Sequence, residues 1–252
     1  MEKYFNLNAE GCSIRCKLYY DDLSRIRRAV LFGHGFGGHK DNRAAARLAA
    51  RMLEKNKGCL LMTFNWPCHG DDVHKLLRLE DCDRYLRLAL DWLRQHFPEA
   101  ELDACATSFG GYLFLKYLSE HPNPFRRVAL RCPAVNMYEV LSGVIMREED
   151  RKRLARGKSV AVGFDRKVEV DRVLLESLRQ ADLTQRDFLP LAEDILILQG
   201  VKDEVVPFAA VEAFADRNCI EFVPVEGADH RFQDPGKMDF AIARILDFFG
   251  LR

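Results

Sequence analysis

The sequence lacks any long apolar run. Nothing in its 252 residues approaches the roughly 18 consecutive apolar residues needed to span a bilayer. Residues 1–8 alternate polar and apolar side chains and carry no apolar stretch of the signal-peptide kind, which predicts a cytoplasmic protein. Net charge is also missing: 38 Lys plus Arg balance 38 Asp plus Glu. That balance gives no electrostatic reason to expect nucleic acid or an anionic membrane as partner. The eight cysteines are scattered, with no C-x-x-C pair, so no metal is expected. Several, such as Cys59 and Cys105, sit in apolar runs and read as buried, reduced thiols. There is no internal repeat and no low-complexity segment.

What is present is ordinary folded composition, with 48 % hydrophobic and 30 % charged residues. One α/β domain over residues 1–252 buries a sufficient core at this length. Short apolar runs alternate with longer amphipathic ones, the pattern of a mostly parallel sheet wrapped by helices. Eight strands are expected, over 4–7, 13–19, 29–32, 59–64, 102–106, 127–131, 195–198 and 221–223. Core helices are expected over 42–54, 80–96, 109–120, 208–215 and 237–248. In the second of these, Tyr85, Leu86, Leu88, Ala89, Trp92 and Leu93 fall on one face of a 3.6-residue period.

One stretch breaks the alternation. Residues 137–187, between the sixth and seventh expected strands, form an insertion. It starts apolar (137–145), continues as a charged, solvated helix (147–158) and a hairpin (159–170) turning near Asp165 and Arg166, and ends in a short helix (173–179). Insertions at such a place often cover an active site, and this one is expected to be a small lid.

Four short segments carry chemistry. In Ala106-Thr107-Ser108-Phe109-Gly110-Gly111, Ser108 lies between an apolar strand and a helix. A nucleophilic serine needs such a sharp turn to raise its hydroxyl above the sheet, and small neighbours let the backbones approach. The competing reading is a serine that merely caps the helix. In His34-Gly35-Phe36-Gly37-Gly38-His39, a Gly-rich loop follows a strand. Such a loop can aim the Phe36 N–H at a developing oxyanion, with the Phe109 N–H as second donor. The competing reading is a flexible loop, since the spacing is not that of a nucleotide-binding phosphate loop. Asp203 follows the strand at 195–198, where it could orient a histidine. Glu204 and Asp194 compete with it, but Asp194 precedes that strand and belongs at the other end of the sheet. His230, of seven histidines, is the one that follows the last strand. Each residue alone has a bland explanation. Their order Ser, Asp, His, each just past a separate strand, together with a Gly-rich loop, is the order of a Ser-His-Asp hydrolase.

On these stretches the chain resembles the α/β-hydrolase superfamily, and within it the serine aminopeptidase-like group that includes cinnamoyl and feruloyl esterases and monoacylglycerol lipases. The carrying segments are HGFGGHKDN from His34, ATSFGG from Ala106, LILQGVKDEVVP from Leu196 and GADHRF from Gly227. The resemblance implies an α/β-hydrolase fold, cleavage of a small-molecule ester or amide without a cofactor, and an apolar acyl pocket under a lid. The chain departs from the group at Ala106, where a Gly is usual, and at Asn65-Trp66-Pro67-Cys68-His69-Gly70, where an Arg-Gly-His-Gly type loop is usual. Trp66 is therefore expected to shape the pocket. In the lid, Met137, Val140, Leu141, Ile145 and Met146 are expected to face the acyl group, with Leu141 and Met146 as the test positions. Carboxylic ester hydrolysis is the main expectation. A peptidase or acyltransferase using the same triad, with Glu139 or Glu148 as an amine anchor, and a catalytically dead binding protein are the alternatives. The sequence leaves a homodimer open.

Overall fold

In the computed structural model, which describes residues 1–251, the chain forms an eight-stranded sheet. Its first strands are β1 (Glu2–Ala9), β2 (Cys12–Tyr20), β3 (Arg28–Gly33), β4 (Cys59–Phe64), β5 (Glu101–Thr107) and β6 (Arg127–Arg131). A separate two-stranded hairpin, β7 (Val160–Val162) and β8 (Val168–Val170), follows, and then β9 (Ile195–Gly200) and β10 (Glu221–Val225) complete the sheet. The order is β1-β2-β4-β3-β5-β6-β9-β10. The β1–β2 and β2–β4 pairs are antiparallel and every later pair is parallel. All eight expected core strands are present.

Local chemistry explains the boundaries. Glu10 and Gly11, at φ 49° and 75°, form the two-residue turn that pairs Ala9 with Cys12. Positive φ at both positions matches the twist of a tight hairpin. Helix α1 (Arg43–Lys55) starts after Asn42, whose side chain accepts from the Ala44 and Ala45 N–H groups. The chain continues through α2 (Leu79–His96), α3 (Phe109–Glu120), the short α4 (Met137–Glu139), α5 (Glu148–Ala155), α6 (Arg172–Gln180), α7 (Phe208–Arg217) and α8 (Pro235–Phe248). Helix α8 begins two residues earlier than its apolar period suggests, because Asp234 caps it and Pro235 is already set for a helical φ.

The central strands are buried on both faces, and two apolar layers cover them. One layer holds α1 and α8 (Leu48, Met52, Ile242, Ile245). The other holds α2, α3 and α7 (Tyr85, Phe114, Phe214) together with apolar residues of the insertion. Residues 137–187 form α4, a wide helical turn at Val140–Ile145, α5, the hairpin and α6. Of the charged helix α5, only Leu154 is buried. This architecture places the loops after β3, β5, β9 and β10 at the carboxyl edge of the parallel strands, where open α/β sheets bind ligands.

Candidate active site

Ser108 sits between β5 and α3 with φ 53° and ψ −119°. An L-residue adopts that region at a cost of order 1–3 kcal/mol, and surrounding structure must enforce it. The enforcement is visible at Gly110: a Cβ there would lie 2.5 Å from the Gly33 carbonyl oxygen and 2.6 Å from that of His34. Only glycine lets α3 start this close to the end of β3. Ser108 occupies the cap position of α3, yet its hydroxyl makes no cap hydrogen bond. It meets His230 Nε2 at 3.0 Å instead. The helix-cap explanation for Ser108 is thereby set aside.

His230 Nδ1 donates to Asp203 Oδ2 at 2.8 Å. That bond leaves Nε2 as the acceptor facing the serine hydroxyl. The Asp203 side chain is sealed from solvent. Its Oδ1 accepts from the Val205 and Val206 N–H groups at 2.9 and 2.8 Å. Its Oδ2 also accepts from Gln199 Nε2 at 2.9 Å. Burial alone would raise the carboxyl pKa, but the bonds from His230 and the two backbone donors outweigh it and hold Asp203 below the ordinary carboxylate range. Glu204 is exposed and reaches only the His230 backbone N–H, at 3.2 Å. Asp194 lies at the opposite end of β9 beside Arg127. Gln199 is a further contributor, beyond the residues expected from the sequence. Its signal is a polar side chain ending an apolar strand, two residues before the loop that carries Asp203.

The Gly-rich loop lies directly against Ser108: a Cβ on Gly35 would stand 3.2 Å from Ser108 Cβ. Among the described residues, neither the Phe36 nor the Phe109 N–H enters a backbone hydrogen bond, so both donors are free. His34 shapes the loop from within. It is fully buried, and burial first, then the neighbouring His69, hold its pKa well below the usual imidazole value. It is therefore neutral, with Nδ1 bonded to the Gly35 carbonyl at 2.9 Å and Nε2 accepting from the Trp66 N–H at 3.3 Å. His69 is held at about 4 by burial and is neutral too. Its ring stacks on Phe109 and meets Phe36 edge-on.

Trp66 corrects an expectation. It is completely buried and does not line the cleft. Its Nε1 donates to the His34 carbonyl at 2.9 Å, and its ring packs edge-on against Phe64 and Phe114. Trp66 thus braces the Gly-rich loop from behind. A second correction concerns the insertion. Met137, Val140, Leu141 and Met146 pack into the core layer, with Leu141 at 0 % and Met146 at 3 % exposure. Of the five apolar positions expected to face the acyl group, Ile145 is the one that lines the cleft. Glu139 and Glu148 are solvent-exposed and outside it.

The cleft itself measures about 560 Å³, within the range of small-molecule sites. Ser108 and His230 open into it with Phe36, Ile145 and Phe164. The hairpin turn of the insertion contributes Phe164, Asp165 and Arg166 to its wall. Arg131, at the end of β6 on the same wall, is a further lining residue, and its signal in the sequence is only a charge closing an apolar strand.

Cys132 Sγ, an Asp203 oxygen and a His230 nitrogen lie within 4.8 Å of one another, a set of atoms that could ligate a metal. The chemistry of the set argues against it. Asp203 and His230 are already bonded to each other, and burial pushes the Cys132 thiol well above its ordinary range, away from the thiolate a metal requires. The eight cysteines are all free thiols, six of them buried. No helix among the described residues is long and apolar enough to cross a membrane.

Comparison with known proteins agrees with this architecture. The chain is similar in structure to Est1E of Butyrivibrio proteoclasticus, solved with ferulic acid bound, at TM-score 0.75 and 14 % identity, over 98 % of this chain and 99 % of that one. It is also similar to mouse alpha/beta hydrolase domain-containing protein 10 at TM-score 0.76 and 15 % identity, over 98 % of each chain. A serine hydrolase described as lacking a lid, XC6422 of Xanthomonas campestris, matches at TM-score 0.67 and 15 % identity, over 99 % of this chain and 94 % of that one. No curated protein matches it by sequence. The family model for the alpha/beta hydrolase fold matches residues 28–172, more than half of the chain, and the protein belongs to that family.

Proposed function

We propose that the protein is a serine hydrolase that cleaves carboxylic esters of small or hydrophobic acyl groups through Ser108, His230 and Asp203. The observation that carries this reading is the continuous hydrogen-bonded line from Ser108 Oγ through the His230 ring to a buried Asp203 carboxylate, opening on a cleft of substrate size. In the reaction, His230 Nε2 takes the Ser108 proton as Oγ attacks the ester carbonyl. The Phe36 and Phe109 N–H groups hold the oxyanion. Asp203 keeps the His230 tautomer and stabilises the imidazolium. The imidazolium then protonates the departing alcohol, and water repeats the cycle on the acyl-enzyme.

Residues 137–187 act in this reading as a lid on the single domain. Its support is the placement of Ile145 and the hairpin turn at Phe164 to Arg166 in the cleft wall. A cytoplasmic location is part of the same proposal and fits the eight free thiols.

Labelling with a fluorophosphonate probe tests the nucleophile. Wild-type protein is expected to label and Ser108→Ala not to. A panel of esters with varied acyl chains then tests the substrate class. Labelling of the alanine variant, or an unlabelled wild type, would overturn the reading.

A further inference from the structure

The cleft beside Ser108 carries an excess of positive charge. Five arginines line it: Arg43, Arg47, Arg131, Arg166 and Arg231. The acidic lining residues are Asp41 and Asp165. Arg47 is bound to Asp239, Arg231 is bound to Asp165, and Asp41 is held by Lys40 and Lys17. Among the described residues, Arg43, Arg131 and Arg166 form no salt bridge with a carboxylate, and Asp203 and Asp229 reach Arg131 only through space.

Arg131 is the informative member of the three. Arg43 and Arg166 are exposed on the rim, where water solvates them. Arg131 is only 8 % exposed. Its one hydrogen bond is long, 3.4 Å from Nη1 to the His230 carbonyl, and its guanidinium lies 4.9 Å from the centre of the Phe232 ring. A buried cation with so few bonded partners is costly: burial pushes its pKa below the ordinary guanidinium range, although the charges of Asp203 and Asp229 act through space in the opposite direction. Arg131 nevertheless lines the cleft together with Ser108 and His230. The side chain therefore brings a planar, charged fork to the wall of the cleft into which Ser108 opens.

We infer that Arg131 binds an anionic group on the substrate, a carboxylate or phosphate, with Arg43 and Arg166 drawing that charge to the rim, so that the enzyme prefers negatively charged esters. The inference rests on the ester-hydrolase reading above and names its substrate class. The competing role for Arg131 is purely structural, a brace on the His230 loop. A brace changes the rate for all substrates alike, whereas an anion site changes the ratio between charged and neutral ones.

The experiment uses a pair matched in shape, 4-butyryloxybenzoate and 4-butyryloxybenzamide, with 4-butyryloxyphenyl phosphate to separate carboxylate from phosphate. Wild type is expected to show a higher kcat/KM for an anionic ester than for the amide, with the ratio falling as salt rises. In Arg131→Met that ratio should drop by about 10- to 100-fold, as expected for losing hydrogen bonds to a charged group. Arg131→Lys should recover part of it, since charge returns without the fork. An unchanged ratio in Arg131→Met would overturn the inference while leaving ester hydrolysis standing. Should that variant not fold, the wild-type ratio and its salt dependence decide instead, together with the Arg43→Gln, Arg166→Gln double variant. If wild type hydrolyses none of these esters and does not label with the fluorophosphonate, the hydrolase reading fails. Calorimetry on Ser108→Ala then judges the anion site alone: the benzoate or the phosphate should bind at least about tenfold tighter than the benzamide, and equal binding of all three would reject it.

Discussion

The Ser108 hydroxyl and His230 Nε2 meet at 3.0 Å across 122 residues of chain, with the serine backbone held at positive φ. Position and strain go together here, because the turn that lifts the hydroxyl is the same turn that costs backbone energy. Ser108→Ala should lower kcat for ester hydrolysis by about 10⁴- to 10⁶-fold without unfolding the protein. Ser108→Gly should be equally inactive but more stable than Ser108→Ala by ~1 kcal/mol, since glycine accepts this φ freely. For a chain of this size that difference reads as roughly 2–4 °C in Tm. A glycine variant melting below the alanine variant would mean the turn stores no strain.

Asp203 and Glu204 are adjacent but unequal. Asp203→Asn should approach the Ser108→Ala loss in kcat, because an amide supports the wrong His230 tautomer. Glu204→Gln removes only an acceptor for the His230 N–H and should be mild. The reverse ranking would move the orienting role to Glu204.

The same carboxylate predicts a pH dependence of stability. Its folded pKa lies below the ordinary value, which is about 3.9 in an unfolded chain. The stabilisation is therefore fully present above that pH and is lost as pH falls through the folded value. Chemical denaturation of wild type and Asp203→Asn between about pH 5 and 2 should give a shallower acid limb for the variant. Parallel limbs would show that Asp203 is not preferentially ionised in the fold.

The parts of the molecule that were legible in the sequence are those governed by local rules. Periodicity located the strands and the core helices, the first of them expected one residue before α1 begins. The order of Ser108, Asp203 and His230 past separate strands brought three distant residues to one edge of the sheet. What was not legible depends on which way a side chain turns. Trp66 follows a strand, where exposure is the usual expectation, and its complete burial comes from tertiary contacts with Phe64, Phe114 and the His34 carbonyl. Arg131 closes the apolar strand β6, and a lone arginine there reads equally as a surface end. Leu141 and Met146 lie in an apolar run that fits a core layer as well as a cleft wall, and periodicity cannot choose between two apolar surroundings.

Trp66 yields a prediction from its corrected role. Trp66→Phe keeps most of the apolar packing but removes the donor to the His34 carbonyl, leaving a buried acceptor unpaired at a cost of about 1–3 kcal/mol. Because that carbonyl belongs to the loop that presents the Phe36 N–H, kcat should fall while KM stays near its wild-type value. Acyl preference should not change, since Trp66 is absent from the cleft wall. A shift in acyl preference would restore Trp66 to the pocket.

The insertion supplies the last test, because it separates two neighbouring residues by the surfaces they touch. Leu141 is fully buried in the core layer, while Ile145, one helical turn later, lines the cleft with Ser108. Leu141→Ala should therefore act through a cavity, destabilising the fold by about 2–5 kcal/mol and altering kcat/KM for all acyl esters alike. Ile145 is partly exposed, so Ile145→Ala should cost little stability. It removes apolar contact from the substrate side of the wall instead, and should shift relative kcat/KM between short and long acyl esters by ~1–3 kcal/mol. Ile145→Trp should push the preference the other way by narrowing the same wall. The informative comparison is between the two variants across one ester panel, with Tm measured on each. If Leu141→Ala changes acyl preference and Ile145→Ala does not, the wide helical turn at Val140–Ile145 presents its other side to the substrate. In that case residues 137–187 close over Ser108 in an arrangement different from the one described.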